Sequence, residues 1–493
     1  MVVRASHPKS HLRRLGLVVV TLVLAGALMG AGNLASATGR SFPSATPAAD
    51  CGPGAREETD IQGRVPSSDY DSGRVTKGYR CNTRPVARQG STGGFKVIRY
   101  RDSSGRACAF YDSTLLFPKD VLMNAAEGLG VVVLDMSDPK NPKQTATLVT
   151  PAMQSPHESL LLNKKRGLLA AVLGNAGTNL GILDVYDVKT DCRHPRLLSS
   201  TPSAVLGHES GFARDGRTFY AASSGGQTLV AIDLSDPTAP TPVFQQFGVN
   251  YHGLRLSGDG RTLYVANIGN PTDGAFSSGG LRIIDVSEIQ ERVPNPGVEV
   301  LSDLRWDEHS IPQVAEPFTR NGRPYLLEVD EFANYNLTAG VDQSSAPVGA
   351  ARIIDISNPR RPEVVSHLRL AVHQPKARQG EQKNDPGALS PVQGYAGHYC
   401  SVPQRKDPRL VACSMIASGL RVFDISRLKN PREVGYFNKP IPPGSKPTNP
   451  EAQGGYAMSQ PAWDIKRRSV WFSDGNTGFW NIRLTNGVGK LLG

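Results

Sequence analysis

Five histidines, His157, His208, His252, His309 and His398, hold the same place in five segments: SPHESLLL, LGHESGFA, NYHGLRLS, DEHSIPQV and AGHYCSVP. Neutral imidazole is a ligand for zinc, copper, iron and nickel. A histidine repeated at one structural position is therefore material for a metal centre, with copper, iron or zinc as the expected ion. Carboxylates adjoin three of the five, as Glu158, Glu209 and Glu308. Such neighbours can orient a ligating imidazole or meet a ligand. Adjacent strand residues face opposite sides, so the same glutamates serve equally well in salt bridges between repeats. Two further repeats carry Gly93 and Gln460 at the histidine place, and Gln460 is a further candidate for ligand contact.

The elements that position these residues are counted by their aspartates. An apolar run ending in Asp appears as VVVLD (131–135), LGILD (180–184), LVAID (229–233), LRIID (281–285), ARIID (351–355) and LRVFD (420–424), with a seventh copy, FWNIR, ending at Arg483. Each unit reads as a first strand such as HGLRLS, a GDGR turn, a second strand such as TLYVAN, the Asp-ended strand, a proline turn and a fourth strand. Glycine (51) and proline (37) are abundant while charged residues make up only 20%, as suits a turn-rich all-β chain. Seven such units spell a seven-bladed β-propeller of four-stranded antiparallel blades. The third strand is apolar on both faces because neighbouring blades cover it. The last unit stops after its third strand, so a strand near 79–88 is expected to complete it and close the ring.

In a propeller the first strands line the central channel, which places the histidines around one axis. Alternating strand direction puts the loop before the first strand and the loop between the second and third on one face. The insertions 270–280, 330–349, 371–397 and 438–459 all fall on that histidine face, while turns such as ARDGR and SGDGR on the other face are short. Elaborated loops on a rigid scaffold are where binding resides. A structural use competes: propellers of the WD type repeat a Gly-His within a hydrogen-bond network of one blade. His208 and His398 also follow glycine, and Asp233 and Asp424 are the blade partners that use requires.

Arg4, Lys9, Arg13 and Arg14 precede an apolar run from Leu15 to Met29 and a small-residue site at 35–37, the pattern of a secretory signal peptide. Residues 1–37 are thus expected to be removed, 38–76 to form an irregular extension and 77–493 the propeller. The +11 formal charge is partly that of the leader, and no basic stripe with interleaved aromatics is present, which argues against nucleic acid. Six cysteines without a C-x-x-C suit disulfides of an oxidising compartment. Cys400 and Cys413 flank a turn at Lys406-Asp407 and face each other across a hairpin. Cys51 with Cys81 and Cys108 with Cys192 are the remaining candidate pairs. A monomer free of the membrane after cleavage, secreted or at the cell surface, is expected.

The LRIID and VVVLD strands, the SDPxxP turns and the Gly-His before the first strand resemble the LVIVD-repeat family of exported bacterial propellers over roughly 75–485. That resemblance implies an extracellular or surface location without implying a reaction. CGPG at 51–54 is similar, more distantly, to a motif of the selenium-binding, methanethiol-oxidase propellers, which are associated with copper. Carotenoid-cleaving oxygenases, which hold iron with histidines of several blades, offer a second parallel. Two functions follow as expectations: binding of a metal ion or small ligand at the histidine ring, with metal-dependent oxidoreductase chemistry, or a non-catalytic module recognising a cell-envelope or extracellular protein or glycan.

Overall fold

The computed structural model of the chain describes residues 42–114, 129–174, 181–269, 279–306, 308, 310–332, 348–389, 394–446 and 454–492. Within Ser44–Gly493 the strands form seven antiparallel sheets of four strands, one of which gains a fifth. The fold is the expected seven-bladed propeller. Its innermost strands are Val97–Arg101, Leu161–Asn163, Gly211–Phe212, Tyr251–Leu256, Ile311–Arg320, Tyr399–Ser401 and Ala462–Asp464, for blades 1 to 7 in order.

Seven apolar clusters lie between consecutive blades and explain the doubly apolar third strands. Val131 and Val133 of blade 1 pack against blade 2, while Val132 and Leu134 of the same strand pack against blade 7. Alternate residues thus feed two interfaces. All four side chains are at most 3% exposed, and burying a side chain of this size stabilises the fold by about 1.5–3 kcal/mol.

Ring closure follows the expected route. Thr83–Gln89 pairs with Gly478–Leu484 as the outermost strand of blade 7. The residues just before it, Tyr79–Cys81, add the fifth strand to blade 6 by pairing with Arg432–Asn438. All three candidate disulfides form, with Cα separations of 5.1 Å for Cys51–Cys81, 6.1 Å for Cys108–Cys192 and 4.0 Å for Cys400–Cys413. The last of these joins residues directly opposite in the hairpin.

Two readings of the repeat are corrected. In blade 2 the third strand runs Gly181–Asp187 and ends at Asp187, not at Asp184. Asp184 lies inside the strand, fully buried, and accepts the amide of Ala152 at 2.8 Å. The matching run is LDVYD, three residues further along. Secondly, the terminal aspartates do not serve the histidines. Asp135, Asp187, Asp233, Asp285, Asp355 and Asp424 each accept the amide two residues on at 2.8 Å. They lock the turn after the third strand, at the end of the blade away from the histidines. Asp233 and Asp424 therefore give no histidine–aspartate network.

Candidate metal centre

The loops before the innermost strands of blades 2, 3 and 6, and the start of the innermost strand of blade 4, each deliver one histidine to the axis. His157, His208, His252 and His398, from blades 2, 3, 4 and 6, meet there with their Nε2 atoms turned inward. Nε2 of His157 lies 3.3 Å from that of His208, and Nε2 of His208 lies 2.8 Å from that of His252. Two carboxylates complete the group. Glu158 Oε2 stands 3.3 Å from His208 Nε2 and its Oε1 3.1 Å from His398 Nε2. Glu331, at the end of the second strand of blade 5, Arg323–Glu331, lies 2.6 Å from His252 Nε2 and 3.3 Å from His398 Nε2.

Local backbone devices aim these side chains. His157 and Glu158 both adopt left-handed φ values, 38° and 69°. Such conformations are costly for residues with a Cβ and gather at functional sites. Here they turn two successive side chains toward one centre, which an extended backbone would not do. At His252 the pairing of Tyr251–Leu256 with Thr262–Asn267 skips between Tyr251 and Leu254, a bulge that re-aims one residue. Gly253 is required beside it, because a Cβ there would fall 2.2 Å from the Gln313 carbonyl oxygen.

The imidazoles are held by their other nitrogens. Nδ1–H of His398 donates to the Met458 carbonyl at 2.5 Å and that of His252 to the Gln313 carbonyl at 3.3 Å. His208 Nδ1 lies 3.3 Å from the Ser224 hydroxyl. A carbonyl can only accept, so Nε2 is the nitrogen left for a metal, the arrangement typical of ligating histidines. Nδ1 of His157 has no hydrogen-bond partner among the described residues.

Charge gives a second test of fit. Glu158 and Glu331 are only 2% and 4% exposed, and two buried carboxylates need two positive charges. Burial opposes their ionisation, yet the facing histidines prevail: Glu158 is held well below the usual carboxylate range and Glu331 at about 2. Burial likewise opposes the imidazolium, but bonds to both glutamates lift His398 to about 10, and Glu331 raises His252. Burial and neighbouring imidazoles lower His157 to about 3 and also lower His208. Two protons on His252 and His398 thus balance two carboxylates, and one divalent cation would do the same. Ligand atoms on tetrahedral arms of about 2.0 Å lie about 3.3 Å apart, the upper end of the 2.6 to 3.3 Å spacings seen. Three overlapping trios, His157/Glu158/His208, His208/His252/Glu331 and Glu158/Glu331/His398, have donor atoms within 4.8 Å of one another.

The remaining candidates lie elsewhere. His309 lies outside the described residues. The blade 5 place between His252 and His398 is taken by Gln313, whose amide donates to Glu158 at 2.7 Å and lies 3.4 Å from His398 Nε2. In blade 1 the place belongs to Phe95 rather than Gly93, with its ring 5.5 Å from His157 and 5.4 Å from His398. Glu209 leaves the ring and is buried one layer below, where Lys96 and Arg255 pair with it and the Tyr399 hydroxyl donates to it. Glu308 pairs with Arg352 at 3.2 Å. Gln460 sits lower still, donating to Glu316 at 2.8 Å.

The fold has solved counterparts. The chain is similar to the periplasmic gluconolactonase of Pseudomonas aeruginosa, with a TM-score of 0.50 at 12% identity, over 73% of this chain and 89% of that one. Hydrazine synthase of Kuenenia stuttgartiensis aligns with a TM-score of 0.47 at 12% identity, over 80% of this chain and 97% of that one. At such identity the likeness to the gluconolactonase speaks for the propeller fold alone. No protein-family model and no curated protein sequence matches the chain.

Proposed function

We propose that the protein is an exported propeller that holds one transition-metal ion, iron, copper or zinc, at the loop end of its channel and uses it as an oxidoreductase on a small molecule. One observation carries this reading: six donor groups from blades 2 to 6, all buried except the partly open His208, converge with neighbouring atoms 2.6 to 3.3 Å apart. When bound, such an ion supplies Lewis-acid polarisation and, for iron or copper, one-electron chemistry.

The chain's residues set the conditions for that chemistry. Backbone carbonyls of Met458 and Gln313 fix the ring planes of His398 and His252. Phe95 and Tyr399, both buried, exclude water from the side facing blades 1 and 6. His208 is the most open of the four imidazoles, its side chain 17% exposed against 3% for His252 and 2% for His398. A small molecule therefore approaches on the His208 side.

Export is supported by three disulfides, which suit an oxidising compartment, and by the leader pattern in residues 1–37. No helix among the described residues is long and apolar enough to cross a membrane. The Asp-ended third strands favour kinship with LVIVD-repeat propellers, and we take the mature chain to act as a monomer at or beyond the cell surface.

Elemental analysis of protein exported from cells grown with iron, copper and zinc tests the reading. About one ion per chain is expected, falling below a tenth in the His208→Ala/His252→Ala variant. Equal metal content in both proteins, or none in either, would contradict it. Binding of an envelope protein or glycan by metal-free protein would instead favour a non-catalytic module.

A further inference from the structure

At the other end of the channel the innermost strands open into a cup of about 1400 Å³. It is separated from the histidines by the buried layer of Glu209, Lys96 and Arg255. Its floor is closed by Glu316 and Gln460: Glu316 accepts from Arg255 Nε at 2.6 Å and from Gln460 at 2.8 Å, so its charge is already satisfied.

The walls carry a different charge. Arg99, Lys164, Arg214 and Arg405, from blades 1, 2, 3 and 6, all line the cup. Arg99 has Asp464 at 3.4 Å. Among the described residues no carboxylate lies within ion-pair distance of Lys164, Arg214 or Arg405, and all three side chains are exposed to the solvent of the cup. Desolvation by the surrounding walls of the cup and the repulsion of Arg99 and Arg405 lower the Lys164 pKa, with Glu316 opposing. The same desolvation lowers that of Arg405, with Glu316 opposing it and Arg255 and Arg214 adding to the effect. Cations gathered from three blades without an ion-pair partner, in a concave space whose lining adds only the carboxylates of Glu316 and Asp407, focus a positive field that attracts anions.

The remainder of the wall is apolar. Phe212, Tyr264, Phe318 and Trp463 face the same cup. A few placed charges on an apolar lining are the composition of a site for organic molecules, and the volume far exceeds that of an inorganic ion. Guanidinium groups match carboxylate and phosphate oxygens in pairs.

We propose that this cup binds an organic anion bearing carboxylate or phosphate groups on an apolar body, with Lys164, Arg214 and Arg405 meeting the charges and the aromatic wall meeting the body. The site is independent of the metal centre, since Arg255, Glu209 and Lys96 stand between the two.

Isothermal titration of the full mature chain with benzene-1,3,5-tricarboxylate, 1-naphthyl phosphate and inorganic phosphate tests this. At least one organic anion is expected to bind, with inorganic phosphate about tenfold weaker or more, and the tighter of the two organic probes identifies the anionic group. The Lys164→Ala/Arg405→Ala variant should lose about tenfold in affinity, as expected when charge-assisted contacts are removed. Its melting temperature and metal content should stay unchanged. Should that variant fold poorly, Arg214→Ala alone is expected to lose about threefold or more. Absence of binding by both organic probes, unchanged affinity in the variants, or inorganic phosphate binding as tightly as the organic anions would overturn the proposal.

Discussion

Blades 2 and 3 carry the same tripeptide, His-Glu-Ser, at 157–159 and 208–210, and use it differently. Both histidines reach the centre, 3.3 Å apart at Nε2. Glu158 reaches it as well, while Glu209 turns down to Lys96 and Arg255. The difference lies in the backbone, which is left-handed at His157 and Glu158. One glutamate thereby joins the candidate ligand set and the other is a counter-ion in the channel's core. Identical local sequence has been given two chemistries by its handedness.

The largest consequence concerns Glu209. Glu209→Gln leaves Lys96 and Arg255 buried, at 1% and 7% side-chain exposure, without their shared carboxylate. Removing one partner of a buried ion pair costs about 3–5 kcal/mol, so thermal or urea unfolding should show a loss of that size. Glu158→Gln should cost less apo stability, because the His398 imidazolium it faces at 3.1 Å can release its proton, but should weaken metal binding by about a hundredfold, read by competition with a chromophoric chelator. If the two variants behaved alike, the comparison would collapse.

Proton competition comes next in size. His398 carries a proton up to a pH of about 10 and His252 is also raised, so an ion must displace protons from both. Metal affinity should rise about tenfold or more per pH unit between pH 7 and 9. Calorimetry in buffers of different ionisation enthalpy should detect the released protons. In the apo protein the sign reverses: a histidine raised to about 10 contributes stability that is full below its unfolded value of about 6.5 and is lost as pH rises through 10. A flat affinity profile would remove His398 from the ligand set.

The smallest effect is the sharpest in sign. At Glu158, with φ of 69°, glycine should be more stable than alanine by about 1 kcal/mol, because only glycine takes that conformation freely. At Glu209 glycine should be less stable than alanine by about 0.5–1 kcal/mol. Chemical denaturation of the four apo variants decides whether the two positions differ as described.

The fold was legible because its signal is repeated: seven apolar third strands, each covered on both faces, can be read from alternation and turns alone. The register of blade 2 was not, since GILDVYD offers two aspartates three residues apart in one strand, and only pairing chooses Asp187. Four of the ring histidines were legible from their recurrence. Glu331 was not, because it closes a second strand with no histidine beside it and reaches the site across the ring from His157. Its one trace in the sequence is an acidic end, VDE, on an apolar strand just before a long insertion. Gln313 was hidden by the skip between Pro312 and Val314, which offsets the blade 5 pattern from that of its neighbours. Backbone handedness, which separates Glu158 from Glu209, leaves no mark on residue type.

The most direct test is an anomalous difference map from crystals of the metal-loaded protein. The expected result is one peak about 2.0–2.2 Å from Nε2 of ring histidines and from a carboxylate oxygen of Glu158, with Glu209 still on Lys96 and Arg255. Absence of a peak at the ring under saturating metal, or a peak bound by Glu209 in place of Glu158, would contradict the assignment.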